Sequence, residues 1–176
     1  SLDKCIEKYQ AEINYVLTEM ERYYPLRRNR SGELSEIHLH YGGMNKIADV
    51  VVPALLFENY TEIKNPGGIY LDRNAISELI KVRGGLLPNN SVKHDIHGDL
   101  PYDALGLAFL MLSRIEERSC VNADRYGRYP AQEAFSVRAG LNAIPLADRA
   151  LDDLAKRLLQ RSTPAHLSNY QVCLLY

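Results

Sequence analysis

Cysteine is scarce in this chain and cannot pair completely. Cys5, Cys120 and Cys173 stand far apart in 176 residues, with no Cys-x-x-Cys spacing. An odd, dispersed set fits free thiols in a reducing compartment better than a disulfide framework. Long apolar runs are missing too: none approaches the ~20 residues that span a bilayer, and no basic-then-apolar leader opens the chain. Charge of one sign is also lacking. The formal net charge is −1 and the pI lies near 6.5, which removes the basic footprint of a dedicated nucleic-acid binder. The local run Arg27, Arg28 and Arg30 reads as a solvated loop rather than a phosphate patch. These absences predict a cytoplasmic protein with neither nucleic acid nor membrane as a partner.

Several catalytic signatures are absent as well. There is no Gly-x-Ser-x-Gly elbow for a nucleophilic serine. Gly67-Gly68 and Gly84-Gly85 lack both phosphate-loop patterns and read as turn residues. Cys120 follows the C-terminal end of an expected helix, where the dipole disfavours a thiolate. Internal repeats and low-complexity tracts are missing too. Nucleophilic catalysis and phosphate-loop binding therefore have little support, and no cofactor is expected from these patterns.

What remains is the composition of a globular domain: 46% hydrophobic and 24% charged residues, in a chain long enough to bury a core. Leu2, Ile6, Tyr9, Ile13, Val16, Met20 and Tyr23 recur at alternating four- and three-residue steps, predicting an amphipathic helix over 2–24 that Pro25 ends. Residues 35–41 alternate as a strand, with Ile37, Leu39 and Tyr41 on one face and His38 and His40 on the other. Ile47 to Val52 is a β-branched run suited to a strand buried on both faces, closed by Pro53. A turn at 65–68, a strand at 69–71 and a helix over 72–81 follow. Asp99 is the expected N-cap of a second main helix over 100–118, which is the most apolar in the chain. Pro145 opens a third over 145–161. Residues 170–176 read as a strand. Interleaved elements predict an α/β (or α+β) fold with a small mixed sheet and packed helices. One domain is expected over 1–168, with 169–176 a terminal strand that either completes this domain's sheet or begins a truncated following domain. The opening Ser-Leu-Asp, without methionine, suggests a terminus that is trimmed or engineered.

Two groups of residues can carry chemistry. His38 and His40, two apart on a strand, together with His94 and His97, offer ligands for a divalent metal such as zinc. Such an ion lowers the pKa of its water to ~7 and makes a hydrolytic nucleophile. The plainer reading is a polar strand face and a polar loop. The second group is the segment after the central helix. Arg114 and Glu117 are three apart and can pair. Arg125, Tyr126, Arg128 and Tyr129 set guanidinium groups beside aromatic rings, a combination suited to sugar or carboxylate recognition or to a protein interface. The plainer alternative is that this set ties a long loop to the helix end.

Asp103 precedes a helix ending Leu112-Ser113-Arg114-Ile115-Glu116-Glu117. Asp124-Arg-Tyr-Gly127-Arg128-Tyr-Pro130-Ala131 and Arg138-Ala-Gly140 follow, and Pro53-Ala-Leu55-Leu56-Phe57-Glu58 stands upstream. This order resembles the N-terminal domain that precedes polysaccharide deacetylase (NodB-like) domains in bacterial proteins of Bacteroidetes type. The resemblance runs from about residue 47 to 176 and is most specific over 100–145. Ile115 stands where the pattern has an aromatic residue. The resemblance implies a carbohydrate-metabolism setting and an adjacent deacetylase-like domain as partner, with polysaccharide as a further ligand. It places the catalytic metal motif of that enzyme outside these residues. The expected function is a non-catalytic accessory module that braces the catalytic domain or assists glycan binding, through Arg114, Glu117, Arg125, Arg128 and Tyr129. The alternative is a small free-standing metal-dependent hydrolase using His38, His40, His94 and His97.

Overall fold

A computed structural model describes residues 7–26, 37–43, 47–58, 99–100, 102–118 and 123–161. The first helix, α1 (Gln10–Tyr23), follows a 3-10 turn at Glu7–Tyr9. Tyr9, Ile13, Val16 and Met20 are its buried face, as the three- and four-residue spacing requires. Tyr23, expected on that face, is exposed. The helix ends where Tyr24 turns extended, ahead of Pro25.

Two short strands, β1 (Leu39–Tyr41) and β2 (Val50–Val52), pair in parallel with Leu39 opposite Val50 and Tyr41 opposite Val52. The carboxylate of Asp49 fixes this register, accepting from the His38 N–H at 2.8 Å while the Asp49 N–H donates to the His38 carbonyl. All three valines of β2 are buried, as expected of a strand covered on both faces. The expected alternation of 35–41 does not hold in β1: Leu39 is half-buried, whereas His40 and Tyr41 are both buried.

Asp99 occupies the far edge of β2. Its N–H donates to the Val51 carbonyl at 2.7 Å, and its Oδ2 accepts from the Val51 N–H at 2.8 Å. Its Oδ1 accepts from Arg157 Nη2 at 2.8 Å. Asp99 is therefore an edge mimic and an ion-pair partner, not the helix cap expected of it.

The cap is Asp103, whose Oδ1 accepts from the Gly106 N–H at 2.7 Å. It opens α3 (Ala104–Ser113), in which residues 104–110 are all buried. A helix apolar on every side must lie in the centre of the molecule. Accordingly α3 packs against α6 (Leu146–Arg161), α1 and the short α2 (Leu55–Glu58). Phe57 of α2 joins the layers, with ring centroids 5.0 Å from Tyr9, 6.0 Å from Tyr41 and 5.3 Å from Phe109. On the opposite side α6 buries Leu146, Ala150, Leu151, Leu154 and Leu158. Its Asp153 accepts from the Tyr102 hydroxyl at 2.6 Å. Burial and that carboxylate together push the Tyr102 phenol far above its ordinary range.

The second predicted helix is thus two. Arg114, at φ +50°, breaks it, and α4 (Ile115–Arg118) continues in a new direction. A 3-10 turn at Ala131–Glu133 and α5 (Phe135–Arg138) complete the described elements. The architecture is helices packed on a small sheet, as predicted, with a parallel pair among the described residues. No helix among these residues is long and apolar enough to cross a membrane. The predicted turn at 65–68, strand at 69–71, helix over 72–81 and terminal strand at 170–176 lie outside the described residues.

Asp103 is fully buried and receives two further donors. The Tyr41 hydroxyl lies 2.9 and 3.0 Å from its two oxygens, and the Leu56 N–H donates to Oδ2 at 2.8 Å. Asp103→Asn turns an NH2 group toward donors and is expected to cost about 2–4 kcal/mol of stability. Tyr41→Phe removes one donor and is expected to cost about 1–2 kcal/mol. Urea unfolding of both single variants and the double variant checks this, and the double loss should fall short of the sum because the two side chains share one hydrogen bond.

Candidate functional site

The polar segment after α3 is built around two carboxylates with different tasks. Glu116, on α4, points toward the loop. Its Oε2 accepts from the Phe135 N–H at 2.8 Å and from the Tyr129 hydroxyl at 3.3 Å. One oxygen thereby ties the first turn of α5 and the 123–134 connection to the end of the central helix. Phe135 is buried beside this anchor, so the apolar ring and the polar backbone contact hold the same point. Desolvation raises the Glu116 carboxyl above its ordinary value of 4.5, against the opposing pull of the Phe135 N–H, the Tyr129 hydroxyl and Arg138.

Asp124 organises the tip. Its backbone N–H donates to the Arg128 carbonyl, and its carbonyl accepts from the Gly127 N–H, both at 2.9 Å. Its Oδ1 accepts from the backbone N–H groups of Tyr126 at 2.8 Å and Arg128 at 2.9 Å. Its Oδ2 takes Nε of Arg128 at 2.9 Å and Nη2 at 2.8 Å. The result is a closed turn around one aspartate, and Gly127 at φ +75° supplies the left-handed residue it needs. The Arg128 N–H, first among these donors, holds the Asp124 carboxyl below its usual range.

Tyr126 projects from this turn and is 63% exposed. The guanidinium carbons of Arg125 and Arg128 lie 4.7 and 4.8 Å from its ring centroid, within cation–π range. Arg128 is committed to Asp124. Arg125 is exposed, and no carboxylate among the described residues pairs with it.

The predicted set is therefore split three ways. Arg125 and Arg128 share the tip. Tyr129 is half-buried and belongs to the base, through Glu116. Arg114 and Glu117 form the expected pair, Nε to Oε1 at 2.6 Å, at the break between α3 and α4. Among the described residues no hydrogen bond or ion pair joins that pair to Arg125 or Arg128. Three organising residues stand outside the five expected to carry the function, although Tyr126 belongs to the same recognition group: Glu116, Asp124 and Tyr126. For the last two a signal exists, since Asp-x-x-Gly marks a tight turn whose intervening side chains face outward. For Glu116 there is none, because which of two adjacent glutamates turns inward depends on the break at Arg114.

The histidines diverge in environment. The His38 side chain is 60% exposed, with Nδ1 3.5 Å from Asp49 Oδ2, while His40 is 4% exposed. His94 and His97 lie outside the described residues. Among the described residues no three His, Cys, Asp or Glu side chains gather as a metal-holding group.

Residues 5–164 match a family of unknown function, DUF7033, and the chain belongs to that family. No curated protein and no solved structure matches the chain.

The Glu116 anchor generates a prediction with a definite sign in pH. A carboxyl raised on folding takes up its proton at higher pH in the folded than in the unfolded chain. Its contribution is fully favourable below the unfolded value of about 4.5, and declines as pH rises through the raised folded value. Glu116→Gln keeps an acceptor oxygen for both donors and carries no charge. It should be level with wild type near about pH 4 and gain on it toward about pH 7. Glu116→Ala strands the Phe135 N–H and should lose about 1–3 kcal/mol at every pH. Thermal unfolding across that range distinguishes the two.

Proposed function

We propose that this member of a family of unknown function is a non-catalytic accessory module. In this reading it braces an adjacent polysaccharide deacetylase-like catalytic domain, and its polar loop is the bracing surface. One observation carries the proposal: the loop divides into a base pinned by Glu116 and a tip that leaves Tyr126 and Arg125 in solvent. A loop serving only to stabilise its own fold would turn its aromatic and cationic groups inward, as Tyr129 does. Rigid turns that expose Tyr and Arg have the composition of interface hot spots, because both side chains bring large contact area and a fixed turn lowers the cost of ordering them. The order of residues over 100–145, which resembles the domain preceding deacetylases, supports a deacetylase-like domain as the neighbour. Assistance in binding the glycan substrate is the other task such a surface can perform in this setting.

The test begins with the native gene, read past Tyr176. The frame is expected to continue into an Asp-rich, deacetylase-like segment. The two parts, still joined, should then unfold with mutual stabilisation that the double variant Arg125→Ala/Arg128→Ala abolishes. Tyr129→Ala should instead lower the stability of this module itself. A stop codon directly after Tyr176 ends the proposal. So does a joined protein in which the tip variant changes neither the coupling between domains nor polysaccharide binding.

A further inference from the structure

We infer that the closed turn 124–128 is a docking knob for acidic polypeptide, with Arg125 as the group that takes the carboxylate and Tyr126 as the anchor beside it. The inference rests on the docking role proposed above and names the chemistry of what is docked.

The two arginines are in different electrostatic states. Arg128 spends Nε and Nη2 on Asp124, so its charge is neutralised within the turn. Arg125 carries a whole positive charge at the tip, held 4.7 Å from the Tyr126 ring centroid. A guanidinium held over a ring need spend no N–H donor on a conventional hydrogen bond there, so its N–H edge stays available to a second group. That edge is the fork that matches a carboxylate with two parallel hydrogen bonds. The usual entropic cost of fixing an arginine is thus partly met before any ligand arrives.

The shape of the site favours polypeptide over sugar. Residues 125–128 are all exposed, so the turn projects and has no cleft. The Tyr126 ring is in contact with two guanidinium groups and is not a bare platform on which a pyranose could lie. A flexible acidic segment can wrap a projecting turn, placing one carboxylate on Arg125 and apolar atoms on the remaining ring surface. Asp124 makes the knob rigid: four donors converge on its side chain, so the turn keeps its form when a ligand binds.

The experiment titrates the whole chain against a fluorescein-labelled oligo-glutamate peptide, read by anisotropy, with oligogalacturonate as the competing carboxylate source. Saturable, salt-sensitive binding is expected. Arg125→Gln and Tyr126→Ala should each weaken it about tenfold, and Arg22→Gln, on the exposed side of α1, should leave it unchanged. Because all three side chains are in solvent, unaltered unfolding curves should accompany these variants. No saturable binding to oligo-glutamate overturns the inference, as does binding that survives both tip variants. Oligogalacturonate binding more tightly than the peptide also overturns it, assigning the knob to an acidic glycan. None of these outcomes bears on whether a catalytic domain follows Tyr176, so the accessory reading and this one fail separately.

Discussion

The structure depends on one buried carboxylate. Asp103 sits where β1, α2 and the start of α3 converge, and it takes a donor from each: the Tyr41 hydroxyl, the Leu56 N–H and the Gly106 N–H. Burying such a group without partners would cost far more than a small domain can spare. With its oxygens engaged by three donors, it converts that liability into a rule of assembly, because the three elements can come together in only one relative position. Gly106 is part of the same constraint. A Cβ there would collide with Asp103 Oδ2 and lie 2.7 Å from Leu56 Cβ, so the absence of a side chain is what lets α2 approach the capping group.

From that fixed origin α3 runs through the middle of the molecule, apolar on every side, and must stop where the apolar surroundings stop. It does so at Arg114, a non-glycine residue in the left-handed region that usually belongs to glycine at a helix end. The break redirects α4, and only for that reason does Glu116 face the loop while Glu117 stays outside with Arg114. The two inward acidic residues differ in kind. Asp103 is enclosed and engaged by donors on both oxygens. Glu116 is half-buried and takes the Phe135 N–H and the Tyr129 hydroxyl on one oxygen, and desolvation outweighs those donors in its titration.

Helices were legible in the sequence because periodicity records burial directly. Ile13, Val16 and Met20, and Leu151, Leu154 and Leu158, are all buried where the spacing places them. Pro25 and Pro145 mark boundaries for reasons of backbone chemistry alone. The cap was misplaced by four residues because Asp99 and Asp103 are equivalent to propensity rules, and only tertiary contacts separate them. Residues 35–41 alternate in the sequence, whereas β1 has buried residues in succession. Alternation assumes one wet face, and in β1 the neighbours His40 and Tyr41 are both buried. Of the polar loop, residue types were legible but allegiance was not: Tyr126 and Tyr129 are both preceded by arginine, yet one is exposed and the other answers to Glu116.

That divergence bears on how a loop can be both rigid and available. A segment held only at its base would spread over many conformations, and ordering it on contact would consume much of the binding free energy. A segment held everywhere would have no groups left to offer. Here the two conditions are met by different acids. Glu116 and the buried Phe135 fix where the segment leaves the core, while Asp124 fixes the turn internally without reference to the core. Asp124 closes the turn through Arg128 and leaves Arg125 outside the cage, so the same short sequence contains one neutralised and one available guanidinium. The asymmetry follows from spacing. A side chain four residues on can fold back to the carboxylate that also caps its own backbone N–H, whereas the adjacent residue faces the other way.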